Sequence, residues 1–235
     1  MKILAIDSSS LVATVAILDE EKILAEYTIN HKKTHSQTLL PMLGEIVKMI
    51  ELDMQEIDAI AISGGPGSFT GLRIGSATAK GLGLALNKPL IHIPTLDAMA
   101  FNFYKTEEII CPIMDARRNQ VYTGMYTFRN GEFEVVLNQV PMGIDELIEK
   151  LNEMNKKVVF LGDGVPVFKG YIEENAIFEV DFAPAHLSRQ KASSVGALGL
   201  VYYKEGKIQT ASEHGPEYLR LSQAERELNE KKMNE

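Results

Sequence analysis

Two aspartates stand where a cleft enzyme would place its acids. Each closes a short apolar run: Ile3-Leu-Ala-Ile-Asp7, followed by Ser8-Ser9-Ser10, and Ile110-Cys-Pro-Ile-Met-Asp115, followed by Ala116-Arg117. Acids at the ends of two strands, facing one another across a cleft, suit metal and phosphate chemistry. The surroundings argue against it. Backbone amides reach a phosphate most easily beside glycine, and three serines follow Asp7 instead. No serine with a histidine and acid partner is recognisable either, so no catalytic residue is assigned.

The stretch Gly64-Gly65-Pro66-Gly67-Ser68-Phe69-Thr70-Gly71 sits at a strand-to-helix junction and invites a phosphate-loop reading. The spacing fails both common patterns. No glycine here has another five positions on, as a Walker A loop requires, and after Gly65 and Gly67 the third dinucleotide position is Thr70. A structural tight turn is the better expectation. His31 and His35 have a metal-compatible spacing, but Lys32 and Lys33 lie between them and the helix is expected to start after His31. No metal is expected. His92, His186 and His214 are scattered, with solvent or core roles the expectation.

Bulk properties narrow the classes. The chain has 235 residues, 45% hydrophobic and 24% charged, ordinary for a globular protein of one large domain or two lobes. Its single cysteine, Cys111, cannot form an internal disulfide, which fits a reducing cytosol. The first apolar run stops at Asp7, so neither a signal peptide nor a membrane span of about 20 residues is expected. A net charge of −8 without a dense basic cluster disfavours direct binding of nucleic acid.

The elements that would position these residues occur twice. After Ile3–Asp7, the stretches 11–18 and 23–29 read as a meander of strands. The same order returns at Ile109, with strands at 121–128 and 133–137 around the hairpin turn Arg129-Asn130-Gly131-Glu132. Strands running into glycine turns at 57–67 and 157–164 make a second pair, and 89–94 with 176–182 a weaker third. The prediction is an α/β protein of two tandem ribonuclease-H-like lobes, the architecture of sugar kinases, actin and Hsp70. The expected divisions are residues 1–104 for the first lobe and 105–188 for a smaller second one. Residues 189–224 form a helix and tail packing back toward the first lobe, and 225–235 a fraying end.

Two predicted helices are more apolar than a sheet alone requires. Residues 36–51 carry Leu39, Leu40, Met42, Leu43, Ile46, Val47, Met49 and Ile50, with Pro41 tolerable only near the first turn. Residues 72–86 follow Gly71 and carry Gly75, Ala79 and Gly83, a line of small residues at intervals of four. Either the pair docks another protein, or the helices cover each other and the sheet within one chain.

Together these motifs resemble the TsaB (YeaZ) family over nearly the whole chain. Ile3-Leu-Ala-Ile-Asp7-Ser-Ser9, His35-Ser-Gln-Thr-Leu-Leu-Pro41 and Gly65-Pro-Gly-Ser-Phe-Thr-Gly-Leu-Arg-Ile-Gly75 are similar to its signatures. So are Asp115-Ala-Arg117, Val121-Tyr122, Gly162-Asp-Gly164 and Pro216-Glu-Tyr-Leu-Arg220. Gln37 and Gln120 depart from it, standing where the family often has an acid. The resemblance implies a cytoplasmic, non-catalytic partner of TsaD, which transfers threonylcarbamoyl to adenosine 37 of tRNAs reading codons that start with A. It implies docking on TsaD, or as a homodimer when alone, through His35, Leu39, Met42, Leu43, Ile46, Met49, Ile50, Gly71, Arg73, Gly75, Ala79 and Gly83. It further implies TsaE in the complex, TsaC in the same pathway and tRNA held only through the complex. No cofactor is expected on the chain alone, and ATP or ADP at the complex interface is left open. The alternative is a kinase-like or peptidase-like enzyme using the interlobe cleft.

Overall fold

Short β-branched runs, broken by polar turns, build the first sheet. In the structure, a computed structural model that describes residues 1–32 and 34–220, β1 (Ile3–Asp7), β2 (Val12–Leu18) and β3 (Ile23–Asn30) form an antiparallel meander. Helix α1 (His35–Met49), β4 (Ala59–Gly65), α2 (Phe69–Leu86) and β5 (Leu90–Pro94) complete the unit, in the sheet order β3-β2-β1-β4-β5. A short helix, α3 (Thr95–Ala100), leads to β6 (Ile109–Arg117), β7 (Gln120–Arg129), β8 (Glu132–Gly143) and α4 (Ile144–Met154). Then come β9 (Val158–Leu161), α5 (Val165–Asn175), β10 (Val180–Phe182) and α6 (Ala192–Lys204). The second sheet runs β10-β9-β6-β7-β8, so every strand of the first sheet has a counterpart at the same place. The tandem ribonuclease-H-like architecture is therefore observed, with Asp7 and Asp115 on the two central strands.

Strand β1 is buried on both faces, which explains why it is apolar without alternation. Leu4 and Ile6 meet α1 and Ala79 of α2, while Ile3 and Ala5 meet Ala192, Val195 and Leu198 of α6. The second sheet buries Ile109, Cys111 and Ile113 against α4 and α5, and its other face against α3. Among the described residues no helix is long and apolar enough to cross a membrane.

Helix α3 is buried throughout and carries an acid where the lobes meet. The Tyr126 hydroxyl donates to Asp97 Oδ1 at 2.8 Å, and Tyr202 of α6 approaches Oδ2 at 3.5 Å. Burial raises the Asp97 carboxyl and pushes Tyr202 up to about 12. Tyr126→Phe removes the donor from a buried acceptor. The expected loss is about 1–3 kcal/mol in a urea titration, with the fold retained.

Three expectations shift in detail. Pro41 lies in the second turn of α1 rather than near its first; the helix tolerates it on a solvent-facing side, where the carbonyl freed at Gln37 is open to water. Strand β8 runs on to Gly143, paired with β7 along its length. The last helix begins at Ala192 rather than at residue 189, because Asn102 Nδ2 holds the carbonyls of Leu187 and Arg189 outside any helix. The fraying end expected at 225–235, and residues 221–224, lie outside the described residues.

Candidate functional site

The glycine motif packs helix α2 against the end of β1. Ser68 caps α2 by accepting the Gly71 amide at 3.3 Å, and its own amide donates to the Ser9 carbonyl at 2.7 Å. The Ser8 hydroxyl donates to the Gly71 carbonyl at 2.9 Å. A Cβ at Gly67 would overlap the Ser9 carbonyl oxygen, one at Gly71 that of Ser8, and one at Gly75 the Ser8 hydroxyl. The space these glycines leave is filled by the chain's own β1–β2 turn, as a tight turn requires. Gly65, at φ +130, is closed off in the same way by the Glu217 carbonyl, and Pro66 is buried beside it.

Asp7 is buried beneath this contact. Its Oδ1 accepts the Ser9 amide at 2.8 Å and the Ser9 hydroxyl at 2.7 Å, while Oδ2 lacks a hydrogen-bond partner among the described residues. Burial raises its carboxyl, outweighing the Ser9 hydrogen bonds that act the other way.

The second lobe faces it with an unusual turn. Arg117, Arg118 and Asn119 all have left-handed backbone, at φ 67, 55 and 56. The Arg117 amide donates to Asp115 Oδ1 at 2.8 Å, and its guanidinium reaches Oδ2 at 3.7 Å from an exposed position. The Asp115 amide donates to Asp163 Oδ1 at 3.3 Å, and burial raises the Asp163 carboxyl. Ser9, Gly67, Ser68 and Phe69 on one side and Asp115 and Arg117 on the other enclose an open cleft of about 510 Å³, with His35 at its edge. Thr70 is exposed on the first turn of α2. His31 precedes α1, whereas His35 opens it and donates through Nε2 to the Ser10 carbonyl at 2.8 Å. The two histidines therefore do not share a helical face.

The docking residues expected on the two helices divide sharply. Leu39, Met42, Leu43 and Ile46 are 1–6% exposed and belong to the chain's own core. Gly71, Gly75, Ala79 and Gly83 are buried as well, Gly83 against Leu90. These eight cannot line a partner surface: α1 needs its wide apolar arc because it packs on the sheet and on α2 together. Ile50 is half-buried at the helix end, and Met49 is 80% exposed. Arg73 is exposed on α2, its Nε donating to the Tyr218 hydroxyl at 3.1 Å.

A different set faces outward. Leu40 on α1 and Leu84 on α2 are exposed, with Gly44, Ala77 and Gly81 among them. Leu40, Ala77, Thr78, Gly81 and Leu82 line a shallow groove of about 350 Å³. Ala77 and Gly81 repeat the interval-of-four signal on the side opposite Gly75, so the sequence held this stripe too. Chain return also joins His92 to His214, ring centroids 5.6 Å apart, with Glu217 3.8 Å from His92. Burial lowers both, His214 to about 4. Nothing local in the sequence foretells that pairing.

Two lobes of this topology, with Asp7 buried beneath the cleft wall and a small-residue stripe outside, define a protein of the sugar-kinase fold. A polyphosphate/ATP-glucomannokinase from Arthrobacter shares the fold at TM-score 0.50 and 11% identity, covering 86% of this chain and 99% of the other. The family model for tRNA N6-adenosine threonylcarbamoyltransferase, TsaD, matches residues 22–228. The tRNA threonylcarbamoyladenosine biosynthesis protein TsaB of Bacillus subtilis is 35% identical over 96% of both chains. Its Escherichia coli counterpart is 27% identical over 97% of this chain and 98% of its own. YeaZ from Pseudomonas aeruginosa superposes at TM-score 0.77 with 26% identity, over 93% of this chain and all of the other. The chain belongs to the TsaB (YeaZ) family.

Proposed function

We propose that this chain acts in tRNA threonylcarbamoyladenosine biosynthesis as a non-catalytic partner of TsaD, docking through the outer faces of α1 and α2. The observation that carries this reading is the pair of open glycines. Among the described residues no neighbouring group lies within 4 Å of where a Cβ at Gly44 or Gly81 would stand, on adjacent helices flanked by exposed Leu40 and Leu84. Glycine inside a helix costs about 1 kcal/mol relative to alanine, and a close-approaching partner backbone gives it a purpose. In this reading TsaD carries out threonylcarbamoyl transfer to adenosine 37 of tRNAs reading codons that start with A. TsaE joins the pair, TsaC supplies the adenylate, and tRNA is held by the complex, all in the cytoplasm. The free chain binds no nucleotide, any ATP or ADP being held at the joint, and it pairs with itself through the same stripe. The burial of Asp7 below the cleft lining, its Oδ1 taken up by Ser9, weighs against the enzyme alternative.

The test is light scattering after gel filtration, on the chain alone and mixed with TsaD from the same organism. A peak at the summed mass, lost in Gly81→Arg and Leu40→Asp with circular dichroism unchanged, is the expected result. Substitutions at Leu43 or Gly75 would instead damage the core and say nothing about docking. Separate elution at micromolar concentration, with ATP and TsaE present, would overturn the reading.

A further inference from the structure

We propose that the segment following α6, residues 208–220, is a latch that fixes how far the two lobes stand apart at the cleft. It is anchored first to the first lobe. Gln209 exchanges two backbone hydrogen bonds of 2.8 Å with Leu90, extending the free edge of β5. Lys80 of α2 donates to the His214 carbonyl at 2.8 Å, and the Glu217 amide donates to the Gly64 carbonyl at 2.7 Å. Tyr218 then lies flat on Phe69, ring centroids 4.3 Å apart and planes 1° from parallel.

From this anchorage the segment reaches across to the second lobe. Gln139 of β8 donates to Glu217 Oε2 at 3.2 Å, and Arg220 Nη1 donates to the Ala116 carbonyl at 2.8 Å. Ala116 adjoins the left-handed turn that carries Arg117, and Phe69 sits on the opposite wall of the same cleft. One stacked ring and one guanidinium thus tie the two cleft walls together. The lobes also meet through α3, which packs on the second sheet and accepts the Tyr126 hydroxyl, and along the connecting segments around 101–108 and 183–191; the latch is a separate non-covalent tie at the cleft.

The experiment places nitroxide labels at Gln37→Cys on α1 and Glu149→Cys on α4, both exposed, and reads the interlobe distance by pulsed electron resonance. Cys111 is buried with its thiol pushed up to about 12, so it stays unlabelled. Arg220→Ala and Tyr218→Ala should broaden the distribution and shift its mean by more than about 2 Å, the scale of a real domain rearrangement. Tyr218→Phe keeps the stack and should match the parent. Should Tyr218→Ala fail to fold, Arg220→Ala decides alone, since it removes only the tie to Ala116. A folded Arg220→Ala chain with the parent's distribution would overturn the latch.

Discussion

Gly71→Ala should lower stability by about 2 kcal/mol in a urea titration, whereas Gly81→Ala, ten residues along the same helix, should raise it by up to about 1 kcal/mol. Alanine is the better helix former at both positions, so intrinsic propensity alone predicts two gains. What reverses the sign at Gly71 is backbone: a Cβ there would overlap the Ser8 carbonyl oxygen, which cannot rotate away as a side chain would. At Gly81 no neighbouring group among the described residues lies within 4 Å, so the added methyl meets open space. Equal gains at both sites would mean that α2 does not sit on the β1–β2 turn as closely as described. The gain at Gly81 also sharpens the docking proposal. A substitution that stabilises the free chain while weakening its complex with TsaD is the signature of a residue kept small for a partner.

Much of this architecture was readable along the chain because it rests on local pattern. Short apolar strands, hairpin turns such as Asn130-Gly131, and two apolar runs ending in Asp7 and Asp115 recur in one order, and the two sheets repeat one strand order. The site was less readable, for a geometric reason. An apolar arc as wide as that of α1 reports how much surface is covered, not by what. The sheet and α2 cover Leu39, Met42, Leu43 and Ile46, leaving only Leu40 and Met49 well exposed. The glycines of α2 were ambiguous in the same way, because close approach to the chain's own β1–β2 turn and to another molecule leave the same interval of four. The contacts of His92 with His214 and of Tyr218 with Phe69 depend on where the chain returns after α6, which no window of residues records.

Asp7 offers the clearest separation between a cleft that works and one that only packs. Its carboxyl is raised by burial, so over the pH range between its unfolded value near 3.8 and its folded one the native state holds a proton the unfolded chain has released. Stability must therefore fall as pH rises through that window, and level off above the folded value. Asp7→Asn keeps an Oδ1 for the Ser9 amide and hydroxyl while removing the ionisation. The expected result is a variant that matches the parent near pH 3.5 and becomes progressively more stable than it toward neutral pH, read as urea midpoints across the series. A kinase-like use of the cleft demands the opposite. An ionised Asp7 holding a metal–phosphate group could not be replaced by asparagine without loss of that chemistry. Asp7→Asn should leave threonylcarbamoyl transfer by the reconstituted TsaD complex within about twofold of the parent, since a carboxyl 1% exposed and absent from the cleft lining has no contact with a group bound there. A fall of a hundredfold, with the variant folded and still docked, would move Asp7 from the core of the first lobe to the centre of a reaction.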